Sequence, residues 1–229
     1  MKVTGKLEVL NFLKKIGVDT RFISLVNNHV YINNLRYSRL SRVKEELFLE
    51  KYPQYKVSRS KIFQKICTRA SRILKDILSP RDGIFLIQDG TCTNMALYTV
   101  LESYTRKYGV EIIMRQSLTD LEKLDVNSVA LPLTLDDEVE NIIFELLNGE
   151  KLRLLSSKNA KDGIKMIYPL IKVPIWWIQM WIDNEDLNCI FPEYESLPRD
   201  MLEFLELFIP DVREKMYRSG VYISNENNL

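Results

Sequence analysis

Leu7, Leu10, Leu13 and Ile16 recur at helical spacing and stop at Gly17, a residue that favours a helix end, so the chain opens with a helix over about 5–16. Two β-rich runs follow, 21–26 and 29–32. They flank Asn27-Asn28, a pair that tolerates the positive φ of a tight hairpin turn. The periodicity then predicts helices over 41–50 and 58–78. In the second, Ile62, Ile66, Ile73 and Ile77 make an apolar stripe, and Arg59, Lys61, Lys65, Arg69, Arg72 and Lys75 fill the rest of the surface.

After the break at Ser79-Pro80-Arg81-Asp82 the rhythm changes to alternating strand and helix. A continuous apolar run at 83–87 reads as a buried parallel strand, and 110–114 and 126–133 read as a second and a third strand. Helices are expected between and after them over 93–108, 118–124 and 136–147. That βαβαβα order implies an α/β fold, a parallel sheet with helices on both faces. A last strand and exit loop at 166–173 precedes helices near 174–183, 198–208 and 210–218, and residues 225–229 are expected to fray. The chain then divides into a basic N-terminal region (1–79), an α/β core (80–175) and a helical C-terminal extension (176–229). No internal repeat or low-complexity tract interrupts this order.

With 229 residues, 46% of them hydrophobic, the chain is long enough to bury a proper core. Cys67, Cys92 and Cys189 lie far apart and His29 is the sole histidine, which argues against a zinc site and a disulfide framework and for a reducing compartment. The N-terminus interleaves lysines among apolar residues, unlike a signal peptide. The apolar block at 173–182 is too short to span a bilayer, so a soluble cytoplasmic protein without membrane contact is expected.

Charge changes the picture more than composition does. Between Arg36 and Lys75 there are 12 Lys/Arg against 3 Asp/Glu, a local balance of +9 in a chain whose net charge is +1. Between Asp183 and Glu206 eight acids face Arg199 alone. The basic segment also carries Tyr37, Tyr52 and Tyr55. It suits a polyanion such as RNA, by phosphate neutralisation and base stacking, or else is a solvated helix face. Trp176, Trp177 and Trp181 read as core or interface anchors.

Ligands of parallel α/β sheets sit at the carboxyl ends of the strands, which singles out Gln88-Asp89-Gly90-Thr91-Cys92-Thr93 and Leu133-Thr134-Leu135-Asp136-Asp137-Glu138. Leu135-Asp136-Asp137-Glu138-Val139-Glu140-Asn141, running on to Leu146-Leu147-Asn148-Gly149-Glu150, resembles the Leu-Asp-Asp-Glu-Ala-Glu-Thr helix of the PP-loop ATP pyrophosphatase superfamily. Within that superfamily it is most similar to the tRNA 2-thiouridine sulfurtransferases of archaea and eukaryotes. Pro80-Arg81-Asp82-Gly83 resembles the family's entry into its first strand, and Pro169-Leu170-Ile171-Lys172-Val173-Pro174 its proline-flanked later strand; the likeness covers about 75–220.

The resemblance implies a phosphate loop, Ser-Gly-Gly-x-Asp-Ser, where this chain has Gln88 to Thr93, with Gly90 the surviving glycine. In such a loop, small residues let N–H groups wrap a pyrophosphate at a helix start. Asp89, Gly90, Thr91 and Thr93 are then either a diverged nucleotide-binding loop or helix caps, with Asp89 repelling phosphate and answering the helix dipole itself. In the second loop the family's glycine and histidine are replaced by Pro132 and Leu133. Asp136 or Asp137 would hold Mg²⁺ if ATP binds, and they are the catalytic candidates of an active enzyme; equally, they stabilise a helix N-terminus. The family's CxxC has no counterpart and the zinc ribbon reduces to the hairpin, so neither zinc nor an iron–sulfur cluster is expected. Cys67 and Cys92 read as buried apolar residues. The expectation is a catalytically degenerate relative that binds tRNA, or a family member as hetero- or homo-oligomer, through Arg59, Lys61, Lys65, Arg69, Arg72 and Lys75. The alternatives are an active, adenylating tRNA-thiolating enzyme and a protein scaffold without RNA.

Overall fold

The computed structural model describes residues 3–117, 125–155, 160–161, 163–192 and 195–226. The helix expected over 118–124 lies outside them. The opening helix, α1 (Val3–Lys15), ends at Gly17, whose φ of +77° is the left-handed conformation that glycine accepts without strain. A short 3-10 turn leads into β1 (Ile23–Val26), which pairs antiparallel with β2 (His29–Ile32) across Asn27 and Asn28, both at positive φ as the sequence implied.

A four-residue helix α2 (Leu35–Ser38) and α3 (Arg42–Lys51), capped by Ser41, come next. The basic helix is shorter than its periodicity predicts. Ser60 accepts the Phe63 N–H at 3.2 Å and starts α4 (Lys61–Leu74), while Lys56–Ser58 is β3, which pairs parallel with β2. This first sheet has the order β1-β2-β3.

The second sheet is built from β4 (Gly83–Ile87), β5 (Glu111–Arg115), β6 (Ser128–Ala130), β7 (Ala160–Lys161) and β8 (Ile164–Ile167) in the order β5-β4-β6-β8-β7. The first four strands in that order are mutually parallel, as the strand–helix alternation requires, and β7 adds an antiparallel edge that the sequence did not suggest. Helices α5 (Cys92–Glu102) and α6 (Tyr104–Lys107) follow β4, and α7 (Leu135–Leu147) follows β6. The chain crosses from β5 on one side of β4 to β6 on the other. The strand order therefore reverses between β4 and β6, where an α/β sheet opens a crevice.

Helices α8 (Ile175–Glu185), α9 (Leu197–Glu206) and α10 (Val212–Glu226) close the fold; of the segment expected to fray, 225–226 belong to α10 and 227–229 lie outside the described residues. No described helix is long and apolar enough to cross a membrane.

The core passes from one sheet to the other through aromatic rings. Trp181 of α8 is fully buried, stacked on Phe63 of α4 at 4.8 Å and edge-on to Tyr31 of β2 at 5.4 Å. A second tie is polar. Glu102, 1% exposed, accepts the Leu25 N–H at 2.9 Å and hydrogen bonds from both terminal guanidinium nitrogens of Arg106 at 2.6 Å, and pairs with Lys6 at 2.8 Å. Burial drives its carboxyl up, but these cations and hydrogen bonds outweigh it and leave the group below its usual range. Truncating the shared ring, Trp181→Ala, is expected to destabilise the protein by about 3–5 kcal/mol, read as a lowered urea midpoint, because no neighbour can refill so large a void.

Candidate functional site

Both loops singled out in the sequence lie at the carboxyl edge of the parallel strands. At the first, β4 ends at Ile87, Gly90 turns with φ +79°, and Thr91 caps α5 by accepting the Asn94 N–H at 3.3 Å. Asp89 Oδ1 accepts the Thr91 N–H at 2.9 Å and its hydroxyl at 2.8 Å. The Cys92 N–H donates to the Ile190 carbonyl at 3.0 Å, and the Ile190 N–H returns to Gly90 at 3.3 Å. Segment 189–191 is thus strapped alongside the loop, and a disulfide joins Cys92 to Cys189 with Cα atoms 5.1 Å apart.

The N–H groups of Thr91, Cys92 and Asn94, which in a phosphate loop would face an anion, all donate to acceptors of the chain itself. Burial opposes ionisation of Asp89, yet the bonds from Thr91 keep its carboxyl below the usual range. Asp89, Gly90, Thr91 and Thr93 are accordingly brought together as a cap, with the Thr91 and Thr93 hydroxyls 3.3 Å apart.

The disulfide corrects the expectation that the cysteines remain unpaired. Residues 97 apart in sequence meet because the stretch after α8 doubles back along the β4–α5 loop, a pairing that spacing alone does not reveal. Cys67 follows expectation: it is buried in α4, and burial pushes its thiol up to about 12.

At the second loop the three acids separate into three roles. Asp137 forms a capping box with Thr134, whose N–H and hydroxyl both donate to its carboxylate at 2.6 Å. Asp136 is buried; its Oδ2 accepts the Ile175 N–H at the start of α8 at 2.7 Å, and its Oδ1 pairs with Arg213 at 2.6 Å. Burial raises the Asp136 carboxyl, against the pull of Ile175 and Arg213. Arg213 of α10, which also pairs with Glu206, is a site residue that the sequence reading missed; its only signal was an arginine at the start of an otherwise ordinary helix.

Glu138 is fully buried. Its Oε1 accepts the Leu155 N–H at 2.9 Å, and its Oε2 has no hydrogen-bond partner. Between β4, β5, α5 and the hairpin lies a cavity of about 270 Å³, lined among others by Leu86, Gln88, Asn94, Met95, Tyr98 and Met114. Asn94 is 8% exposed, and its Oδ1 accepts no hydrogen bond.

The six basic residues singled out on and beside α4 do not form one set. Arg59 is committed to Glu45 at 2.7 Å and to the Leu40 carbonyl at 2.8 Å. Arg69 donates to the Lys172 carbonyl at 2.7 Å, pairs with Glu214, and lies 4.1 Å from the centre of the Trp177 ring. Lys61, Lys65, Arg72 and Lys75 are exposed, Lys65 reaching over the same ring at 5.5 Å. Of the tryptophans, Trp181 is core, whereas Trp176 is half exposed.

Two predictions follow from this geometry. In oxidising buffer Cys92→Ser is expected to lower stability by about 2–4 kcal/mol in urea, and the difference from wild type should vanish when both are reduced. Burial holds the Glu138 carboxyl above the ordinary 4.5, against the Leu155 N–H, so the folded protein binds that proton more tightly than the unfolded chain. Glu138 therefore detracts from stability above its folded pKa, and the loss disappears as pH falls toward the unfolded value. Glu138→Gln should raise the thermal midpoint at neutral and alkaline pH, with the gain shrinking on acidification.

No family model matches the sequence. A probable sulfurtransferase of Methanocaldococcus jannaschii is 31% identical over 94 residues, 40% of this chain and 28% of that protein, so the match spans under a third of the relative's length. Among solved structures, the U34-tRNA thiolase NcsA from Methanococcus maripaludis, described with its [4Fe-4S] cluster, aligns with a TM-score of 0.56 at 14% identity, over 76% of this chain and 84% of that one. That neighbour's cluster overturns the expectation, made for this chain, that no iron–sulfur cluster goes with it. In this chain Cys92 and Cys189 are bonded to each other and Cys67 is buried, and no group of three His, Cys, Asp or Glu suited to a metal is found among the described residues, so the residues described do not fit such a cluster. The chain has a PP-loop-like α/β fold, similar in structure to a U34-tRNA thiolase and, over part of its length, similar in sequence to a probable sulfurtransferase.

Proposed function

We propose that this protein is a catalytically degenerate relative of the PP-loop tRNA-thiolating enzymes that binds tRNA, or a partner in tRNA modification, in the cytoplasm. The observation that carries the reading is the self-occupied helix start of α5, where Asp89, Thr91 and Ile190 take the N–H groups that a pyrophosphate would need. A carboxylate at that position also repels phosphate. The acids of the second loop support the same reading, since Asp136 and Asp137 spend their oxygens on Ile175, Arg213 and Thr134. RNA as a partner is supported by the exposed Lys61, Lys65, Arg72 and Lys75 within the +9 segment.

A second reading, an active ATP-dependent tRNA-thiolating enzyme, has one observation in its favour. The 270 Å³ cavity beside the loop is lined by Asn94, whose Oδ1 accepts no hydrogen bond and would suit an N–H of a heterocycle.

The purified chain is expected to show no ATP-pyrophosphate exchange and no thermal stabilisation by Mg-ATP. It is expected to bind tRNA with an affinity that falls steeply between about 50 and 200 mM salt. Exchange activity, or stabilisation by ATP that weakens in Asp137→Ala and strengthens in Asp89→Gly, would favour the enzyme; absence of salt-sensitive tRNA binding would remove the RNA reading.

A further inference from the structure

The basic residues outside α4 gather at a place of their own. Between the end of α1 and the start of β1 lies a cleft of about 400 Å³, with Lys14, Asp19, Arg21, Arg39 and Arg106 in its lining. Arg106 is committed to Glu102 and to the Thr20 and Ile23 carbonyls. Arg21 is shared with Asp19 at 2.7 Å, the one carboxylate in the cleft. Lys14 and Arg39 are exposed, and no ion pair neutralises either among the described residues. Positive charge is in excess here.

The backbone holds this arrangement under constraint. Arg39 caps α2 with φ +55°, a conformation in which glycine would be less strained, and Lys44 Nζ grips its carbonyl at 3.0 Å. Two residues earlier, Tyr37 stands 53% exposed, its ring 5.2 Å from Phe22 and 5.9 Å from the Arg36 guanidinium. Both sides of α2 are clamped: the Asp19 N–H donates to the Ser38 carbonyl at 2.8 Å, and the Leu35 N–H to Gln64 of α4 at 3.2 Å. Arg59, just before α4, donates to the carbonyl of Leu40, the residue after Arg39, and Tyr37 stands two residues before Arg39 in the same short segment.

We propose that this cleft binds single-stranded RNA, Lys14 and Arg39 taking a backbone phosphate while the Tyr37 ring stacks an unpaired base. Guanidinium forks match phosphate oxygens, and an exposed aromatic ring beside arginines is a platform for any base face. A duplex keeps its bases stacked inside and offers nothing to that ring, so unpaired loops or ends are the form that fits. The proposal rests on the RNA reading above and places a principal contact away from α4.

The test uses the full chain and an unstructured RNA of about 16 nucleotides, with a duplex of the same sequence, by fluorescence anisotropy at about 50 and 200 mM salt. The variant Lys14→Glu with Arg39→Glu is expected to weaken single-strand binding at least about tenfold and to reduce the salt slope by about two. Tyr37→Ala should weaken the single strand about fivefold or more and leave the duplex unchanged. The neutral pair Lys14→Gln with Arg39→Gln repeats the charge test should reversal impair folding. If these variants bind like wild type while Lys61→Glu with Lys65→Glu, Arg72→Glu and Lys75→Glu abolishes binding, the cleft is overturned and the RNA reading stands. If wild type binds neither RNA, both fall. If polyphosphate competes as well as RNA at equal charge and Tyr37→Ala is silent, the cleft is a plain anion site and the base-stacking proposal is overturned.

Discussion

A helix that begins where a parallel strand ends presents N–H groups with no partner within the helix, and some acceptor has to take them. In this fold that requirement arises at α5, α7 and α8, all at the carboxyl edge of the second sheet. Each time the acceptor is part of the chain: Asp89, Thr91 and the Ile190 carbonyl at α5, Thr134 at α7, and Asp136 at α8. The course of the C-terminal segment follows from it. Residues 189–191 lie along the β4–α5 loop because their carbonyl completes that helix start, and Arg213 is drawn in because Asp136, once buried against Ile175, requires a counter-charge. The polar edge of the sheet is organised by caps.

The same economy explains why an acid-rich motif is a poor guide to chemistry. Asp136, Asp137 and Glu138 are consecutive, yet a helix start sends neighbouring side chains in different directions, toward α8, back to Thr134 and into the interior beside Leu155. Adjacent carboxylates in a sequence become a site only if a shared ligand holds them together. Here each has found a separate donor first.

Much of the fold was legible in advance. An apolar run marks β4 because a strand buried on both faces leaves no room for alternation, whereas β5 is a half-exposed edge strand, and the Thr-Leu-Asp-Asp start marks α7 because a capping box is local chemistry. Strands β3 and β7 were not legible: three and two residues carry no periodicity, and the pairing of β3 with β2 depends on a distant register. The candidate site was half legible. Asp89 as a cap could be argued from its charge beside a helix dipole, whereas the Cys92–Cys189 bond and the Asp136–Arg213 pair join segments 97 and 77 positions apart, beyond any local rule. The basic helix misled in proportion to its length: Arg59 and Arg69 turned out to be tied to neighbouring backbone, which one-dimensional charge counting cannot distinguish from solvated cations.

Glu102 ends on a different kind of consequence. Its carboxylate sits between α5 and the edge of the first sheet, holding the Leu25 N–H, Arg106 and Lys6 together out of water. Separating the two sheets would break the Leu25 and Lys6 contacts of this buried carboxylate and leave it with Arg106 alone, so the partly opened state is unfavourable. The N-terminal hairpin and the parallel sheet are thereby bound into one cooperative unit. Amide hydrogens of β1 and of α5 should share the slowest exchange class of the molecule, and a protease would find no stable fragment by cutting between them.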